Sequence, residues 1–218
     1  MAPKILLGIL NRMHSTGFTG YVGGTASSMM YDSHPQYDYK LCIRNPDRAK
    51  IIVDKFPDVK FVYGDLNSVD VSEKAASEAD VVVHTAESAD SPGAAKDIAK
   101  GRFSSHTVEN LGYYLHLSGA GILTWYDIKH KRYGEPPLPK QKYNDRILEL
   151  PGEAIHKNVE DIVQSIDSDI VKCIIVSPPV IYGARRGIFH KHSFAVTEIV
   201  RATFDLGYTP IIGAGKAK

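Results

Sequence analysis

The chain has 218 residues, enough for one sizeable domain or one domain with part of a second. Lys and Arg number 26 against 25 Asp and Glu, a formal net charge of +1, which gives no electrostatic case for nucleic acid or an anionic membrane surface. A hydrophobic share of 43% is that of an ordinary globular protein, and no apolar run reaches the length of a membrane span.

Short apolar runs alternate with longer amphipathic stretches from the N-terminus onward. Lys4–Leu10 is short, is closed by Asn11 and Arg12 and has no small-residue cleavage site after it, so it reads as a first strand rather than a leader. A polar insert, residues 8–15, stands between Leu7 and Thr16-Gly17-Phe18-Thr19-Gly20-Tyr21-Val22-Gly23-Gly24. Gly17, Gly20 and Gly23 are spaced G-x-x-G-x-x-G, a variant of the dinucleotide fingerprint. Such glycines let backbone turn sharply and approach a pyrophosphate, and a following helix N-terminus offers free N–H groups. Alone the spacing is weak, since a glycine-rich turn would look the same.

A helix is expected from Thr25 to about Ser33, ended by His34-Pro35. Tyr39–Ile43 reads as a strand, Asp47–Phe56 as a helix, Val59–Tyr63 as a strand and Ser68–Ala79 as a helix capped by Ser68. Residues 80–84, Asp-Val-Val-Val-His, form the continuous β-branched run of a buried parallel strand. Ser91–Ala99 is read as helix, Tyr113–Leu117 as strand, Gly152–Ile166 as helix, Val171–Val176 as strand and Ser193–Leu206 as helix. This alternation specifies an α/β fold, a doubly wound parallel sheet covered on both faces. Residues 119–151 form a long irregular region carrying Trp125, Tyr126 and Tyr133, which either wall a pocket or cover the domain. Cys42 and Cys173 each lie in a strand-like run and read as free thiols, which makes a cytoplasmic protein the default.

Several motifs fall at the carboxyl ends of these strands, where open α/β sheets bind ligands. Arg44 follows the second strand, where NAD binders carry an acid; an arginine there suits a 2′-phosphate, although a solvated arginine is the plain alternative. Gly64-Asp65-Leu66, His84-Thr85-Ala86, Leu117-Ser118-Gly119 and Ser177-Pro178-Pro179 close the later strands. Together with Thr16–Gly24 this order resembles the extended and atypical short-chain dehydrogenase/reductases, nearest the NAD-dependent epimerase/dehydratase branch. The resemblance implies a Rossmann domain over 1–218, with a truncated substrate region beginning at 184.

The resemblance also implies site roles. Gly17, Thr19, Gly20, Tyr21, Val22 and Gly23 would line the pyrophosphate. Asp65 and Leu66 would flank the adenine, although Asp65 also suits a turn or cap. Thr85 and Ala86 would run along the cofactor, with Ser118, Ser177 and Pro178 at the nicotinamide end. His84 reads as a buried strand-end histidine. NADP(H) is the preferred cofactor and NAD(H) the second candidate. No metal is expected, because His190 and His192 lack further ligands at suitable spacing. The partner is a small-molecule substrate, with no nucleic acid and no membrane; apolar surface left bare by the early end predicts a homodimer or instability.

The chain departs from the family in its chemistry. No tyrosine has lysine four residues on, so the Tyr-x-x-x-Lys pair is missing. On the expected helix the pair's positions fall either on Gly152 and His156 or on Glu153 and Lys157. Ser118 would orient the substrate oxygen and Lys157 would hold the ribose, while Ala120 fills a slot where a helper hydroxyl often stands. His156 and Tyr143 are substitute acids. The expectation is an oxidoreductase acting on a carbonyl or secondary alcohol of a small metabolite; the alternative is a non-catalytic dinucleotide-binding regulator or an inactive truncated homologue. The missing pair favours binding over catalysis.

Overall fold

A computed structural model describes residues 12–136, 147–190, 192–211 and 213–216. Strands β1 (Arg12–Thr16), β2 (Asp38–Ile43), β3 (Lys60–Tyr63), β4 (Val81–His84), β5 (Gly112–Leu117) and β6 (Val171–Val176) form one parallel sheet ordered β3-β2-β1-β4-β5-β6. Between them lie α1 (Tyr21–Ser33), α2 (Pro46–Lys55), α3 (Val69–Glu78), α4 (Pro92–Ser105), a 3-10 turn (Ala120–Thr124), α5 (Trp125–Lys129) and α6 (Lys157–Ser165), with α7 (Phe194–Leu206) after β6. The chain adds β2 and β3 on one side of β1, then crosses back to add β4, β5 and β6 on the other. The carboxyl ends of β1 and β4 are therefore the switch point, where such sheets open a crevice.

The first strand is not where apolar content suggests. Arg12–Thr16 is β1, and all of it after Arg12 is buried. The expected strand Lys4–Leu10 lies outside the described residues. There is no insert between strand and glycine loop, because residues 12–15 are the strand itself and Thr16 leads straight into Gly17. Polar residues can occupy a central strand here because they find partners: Ser15 Oγ lies 3.1 Å from Ser27 Oγ of α1. Helix α1 also starts earlier than Thr25, at Tyr21, because its small residues Gly23, Gly24, Ser27 and Ser28 are the buried ones and let it lie close. The region 119–151 is not wholly irregular, since it holds the 3-10 turn and α5.

Two apolar clusters sandwich the sheet. One joins Val82, Tyr114 and Val171 to Ala76, Ile98 and Val163 of α3, α4 and α6. The other joins Met13, Leu41, Ile43 and Val83 to Phe18, Ile52 and Phe56 on the side of α1 and α2. At ~25 cal/mol per Å² of apolar surface removed from water, each buried aliphatic or aromatic side chain contributes about 1.5–3 kcal/mol. No helix among the described residues is long and apolar enough to cross a membrane. Cys42 and Cys173 are free and half-buried; burial raises both thiol pKa values, that of Cys173 to about 12.

Candidate dinucleotide site at the carboxyl edge of the sheet

Thr16, the last residue of β1, ties the switch point together. Its Oγ1 lies 2.7 Å from His84 Nδ1 and accepts from Thr85 N–H at 3.2 Å, while Thr85 Oγ1 donates to the Thr16 carbonyl at 2.6 Å. The glycine loop and the start of the β4–α4 loop are thus one unit. Gly17 has φ +79, and a Cβ on it would stand 2.5 Å from Thr85 Oγ1; a Cβ on Gly23 would stand 2.2 Å from the same atom and 2.4 Å from the Gly17 carbonyl. The first glycine is needed for its turn and the third for close packing, as the fingerprint requires.

Helix α1 opens at Gly20 with no side-chain cap and no acid in its first turn. Its leading amides and the positive end of its dipole are not committed to a side chain of the protein, which is the chemistry that attracts a phosphate. The segment after β6 returns here: Tyr21 OH donates to the Gly183 carbonyl at 2.7 Å, and Arg186 N–H donates to Thr25 Oγ1 at 3.4 Å. Val22 and Thr19 belong to the same turn into the helix.

Arg44 is exposed immediately beyond β2. Asp65 accepts from Asn67 N–H at 2.9 Å and Ser68 Oγ at 3.0 Å, so it closes the turn into α3. Those hydrogen bonds, followed by smaller influences that include the Arg44 charge, hold its carboxyl below the usual range. Ser68 consequently turns its hydroxyl back to Asp65 and makes no cap bond to α3. Leu66, Thr85 and Ala86 are half-buried along this edge. His84 is fully buried and bonded to Thr16; burial first, then His116 and His14, lower its pKa to about 3, so it is neutral.

Farther along, Ser118 and Lys157 each bond to a side chain of the protein. Ser118 Oγ donates to Glu160 Oε1 at 2.5 Å, and Ser177 Oγ donates to the same oxygen at 3.3 Å. Lys157 is buried and its Nζ donates to Asp161 Oδ1 at 2.5 Å. Pro178 is half-buried beside Ser177. His156, just before α6, has φ +68; its Nδ1 lies 2.9 Å from Asp90 Oδ1 and its ring lies against Gly119. Of the two registers, the one with His156 at the lysine position brings His156 to Gly119 and Glu160 to Ser118, both at the end of β5. Tyr143 lies outside the described residues. Trp125 and Tyr126 lie on the surface of α5, with Lys129 over Trp125 and His130 beside Tyr126.

Sequence reading missed Asp90 and Glu160. A signal existed for Glu160, four residues after His156 on an amphipathic helix. None existed for Asp90, which meets His156 across 66 residues of chain.

No family model matches the chain. It is 29% identical over 217 residues to an oxidase, ucsJ, of an Acremonium species, a match covering 94% of this chain and 60% of that protein. The chain therefore spans 60% of the length of that relative. Among solved structures it resembles the Bordetella bronchiseptica enzyme WbmH in complex with NAD+, with a TM-score of 0.57, 14% identity, and coverage of 91% of this chain and 64% of that one. The yeast methylglyoxal/isovaleraldehyde reductase Gre2 complexed with NADPH gives 0.53, 14% identity, and coverage of 80% and 56%. ChuY, an anaerobilin reductase of Escherichia coli O157:H7, gives 0.52, 14% identity, and coverage of 94% and 93%. The fold is the doubly wound Rossmann fold shared with these proteins, as the resemblance to the extended and atypical short-chain dehydrogenase/reductases implies.

Proposed function

We propose that this chain binds a nicotinamide dinucleotide, NADP(H) ahead of NAD(H), along the carboxyl edge of its sheet, and serves as the cofactor domain of an oxidoreductase acting on a carbonyl or secondary alcohol of a small metabolite. The observation that carries this is the glycine loop joined to the β4–α4 loop at the switch point through Thr16 and Thr85. The edge fits the cofactor: α1 begins uncapped and without an acid, and Arg44 is exposed beyond β2. Gly17, Thr19, Gly20, Tyr21, Val22 and Gly23 would hold the pyrophosphate, Arg44 the 2′-phosphate, Asp65 and Leu66 the adenine side, and Thr85, Ala86, Ser177 and Pro178 the rest. Bound there, the nicotinamide supplies or accepts the hydride. The names of WbmH and Gre2, solved with NAD+ and NADPH, support the cofactor class.

A second reading has its own observation. Ser118 bonds to Glu160 and Lys157 to Asp161, and with the Tyr-x-x-x-Lys pair missing from the sequence this favours a dinucleotide-binding regulator. Calorimetry with NADPH and NADH tests the shared core of both. NADPH should bind more tightly, and Arg44→Asp should weaken it about 10–100-fold, the worth of a charge-assisted phosphate contact. Equal affinities in the parent and the variant would remove Arg44 from the site.

A further inference from the structure

We propose that His156, oriented by Asp90, is the proton-transferring residue of this site, in the absence of a Tyr-x-x-x-Lys pair. The inference rests on the dinucleotide reading above, and four features of the molecule converge on it.

The first is the backbone. His156 has φ +68 and ψ −10, left-handed geometry that a residue with a Cβ seldom adopts. The neighbouring structure holds it there: the His156 carbonyl accepts from the Val159 and Glu160 amides at 3.1 and 3.2 Å, opening α6. Off-normal backbone of this kind persists where the surroundings fix it, and it often serves a side chain. The second is shielding, since the imidazole is only 10% exposed although it precedes a surface helix.

The third is the carboxylate. Asp90 Oδ1 lies 2.9 Å from Nδ1, and an ionised carboxylate can only accept. The neutral ring therefore carries its hydrogen on Nδ1 and leaves Nε2 with the free lone pair, which takes up a proton that the imidazolium can then give. The fourth is placement. A Cβ on Gly119 would lie 2.2 Å from Nε2 and one on Gly121 2.9 Å away, so glycine at 119 is what lets the ring lie against the carboxyl end of β5. Asp90 comes from the same β4–α4 loop that begins with Thr85 and Ala86. Asp90 and His156 thus join the cofactor-lining loop to the strand end beyond it.

In a carbonyl reduction, protonated His156 would give its Nε2 proton to the carbonyl oxygen, while a nicotinamide held along the edge would supply the hydride to the carbonyl carbon and leave oxidised. The neutral imidazole would then regain its proton from solvent, and alcohol oxidation would run in reverse. These are the charged groups that the described residues bring to the ring. Asp90 faces it from the β4–α4 loop, Lys157 and Glu160 stand on its own helix with partners of their own, and residues 118–122 bring no charge.

The test is nitrogen-detected NMR of the histidine rings in the full chain, with NADPH as the probe and methylglyoxal as a carbonyl for turnover. In the free protein His156 should show the Nδ1–H tautomer. Asp90→Asn should lose that tautomer, and Gly119→Ala should do the same by displacing a ring that is still present. NADPH should shift the His156 Nε2 resonance. His156→Gln should lower kcat about 100-fold, with NADPH affinity within about twofold of the parent. An unchanged His156 resonance in protein that demonstrably binds NADPH overturns the proposal and leaves the dinucleotide reading standing. Failure to bind either NADPH or NADH overturns the dinucleotide reading, and this one with it.

Discussion

The two ends of the sheet solve the problem of buried polar groups in opposite ways. At the amino end Arg102 of α4, fully buried, donates to the carbonyls of Ala76, Ala79 and Asp80, while Asp80 takes the Arg12 guanidinium at 2.6 Å and the Arg12 amide at 3.0 Å. These five hydrogen bonds fix where α3 ends and β4 begins, and Arg102 Nε is left without a partner among the described residues. At the carboxyl end more such atoms are buried: among the described residues His84 Nε2, His116 Nε2 and Glu160 Oε2 have no hydrogen-bond partner. Unpaired buried groups cost stability and persist where something else requires them. The amino end therefore reads as a clamp, and the carboxyl end as the one that buries more polar atoms without a partner among the described residues.

Acid should expose this difference most strongly. Burial lowers His84 to about 3 and His14 and His116 to about 4, against 6.5 in an unfolded chain. The folded pKa values are depressed, so below pH 6.5 the unfolded chain binds more protons than the native one. Stability is thus fully present above pH 6.5 and drains as pH falls toward 4. At pH 5 the loss is about 2 kcal/mol for each of the three histidines. Urea midpoints measured at pH 7 and pH 5 read it directly, and coincident midpoints would contradict the buried, neutral state of these rings.

Breaking the clamp should have the next largest effect. Arg102→Met removes a donor from the carbonyls of Ala76, Ala79 and Asp80, the last of which still accepts from the Tyr113 amide, and the expected cost is about 3–5 kcal/mol. The loss should appear in the urea midpoint, while NADPH affinity of the molecules that remain folded stays at the parent value. A fall in affinity at conditions where the variant is fully folded would show that the two ends are coupled.

The same contrast governs what the sequence could reveal. Strands β2, β4 and β5 announce themselves through runs such as Val81-Val82-Val83, whose side chains are buried or half-buried, and the edge strands β3 and β6 do so through apolar runs that are less buried. Strand β1 does not, since Arg-Met-His-Ser-Thr carries no apolar signal and Lys4–Leu10 carries a strong one. Its burial depends on partners from other elements, Ser27 for Ser15 and His84 and Thr85 for Thr16, which a local pattern cannot report. The glycine loop was legible because backbone demands leave a fixed spacing. The Asp90–His156 and Ser118–Glu160 contacts were not, because they form only once β4, β5 and α6 are side by side.

The smallest expected effect separates the roles of two neighbouring side chains. Ser118 is 3% exposed and gives its hydroxyl proton to Glu160 Oε1, an oxygen that also receives Ser177. With Oε2 unpartnered, Glu160 relies on these two hydroxyls. Ser118→Ala should therefore cost about 1–2 kcal/mol, the loss of one charge-assisted hydrogen bond to a buried carboxylate. Glu160→Gln in the same background should recover part of that loss, because an amide needs less compensation than a carboxylate. If Ser118 instead turns to a substrate oxygen when the site is filled, its removal would lower turnover well beyond what the stability change explains. Thermal melts of the two variants, set beside their rates with NADPH and methylglyoxal, discriminate the cases. A stability loss repaired by Glu160→Gln assigns Ser118 to the support of α6 against the end of β5, and leaves proton transfer to His156.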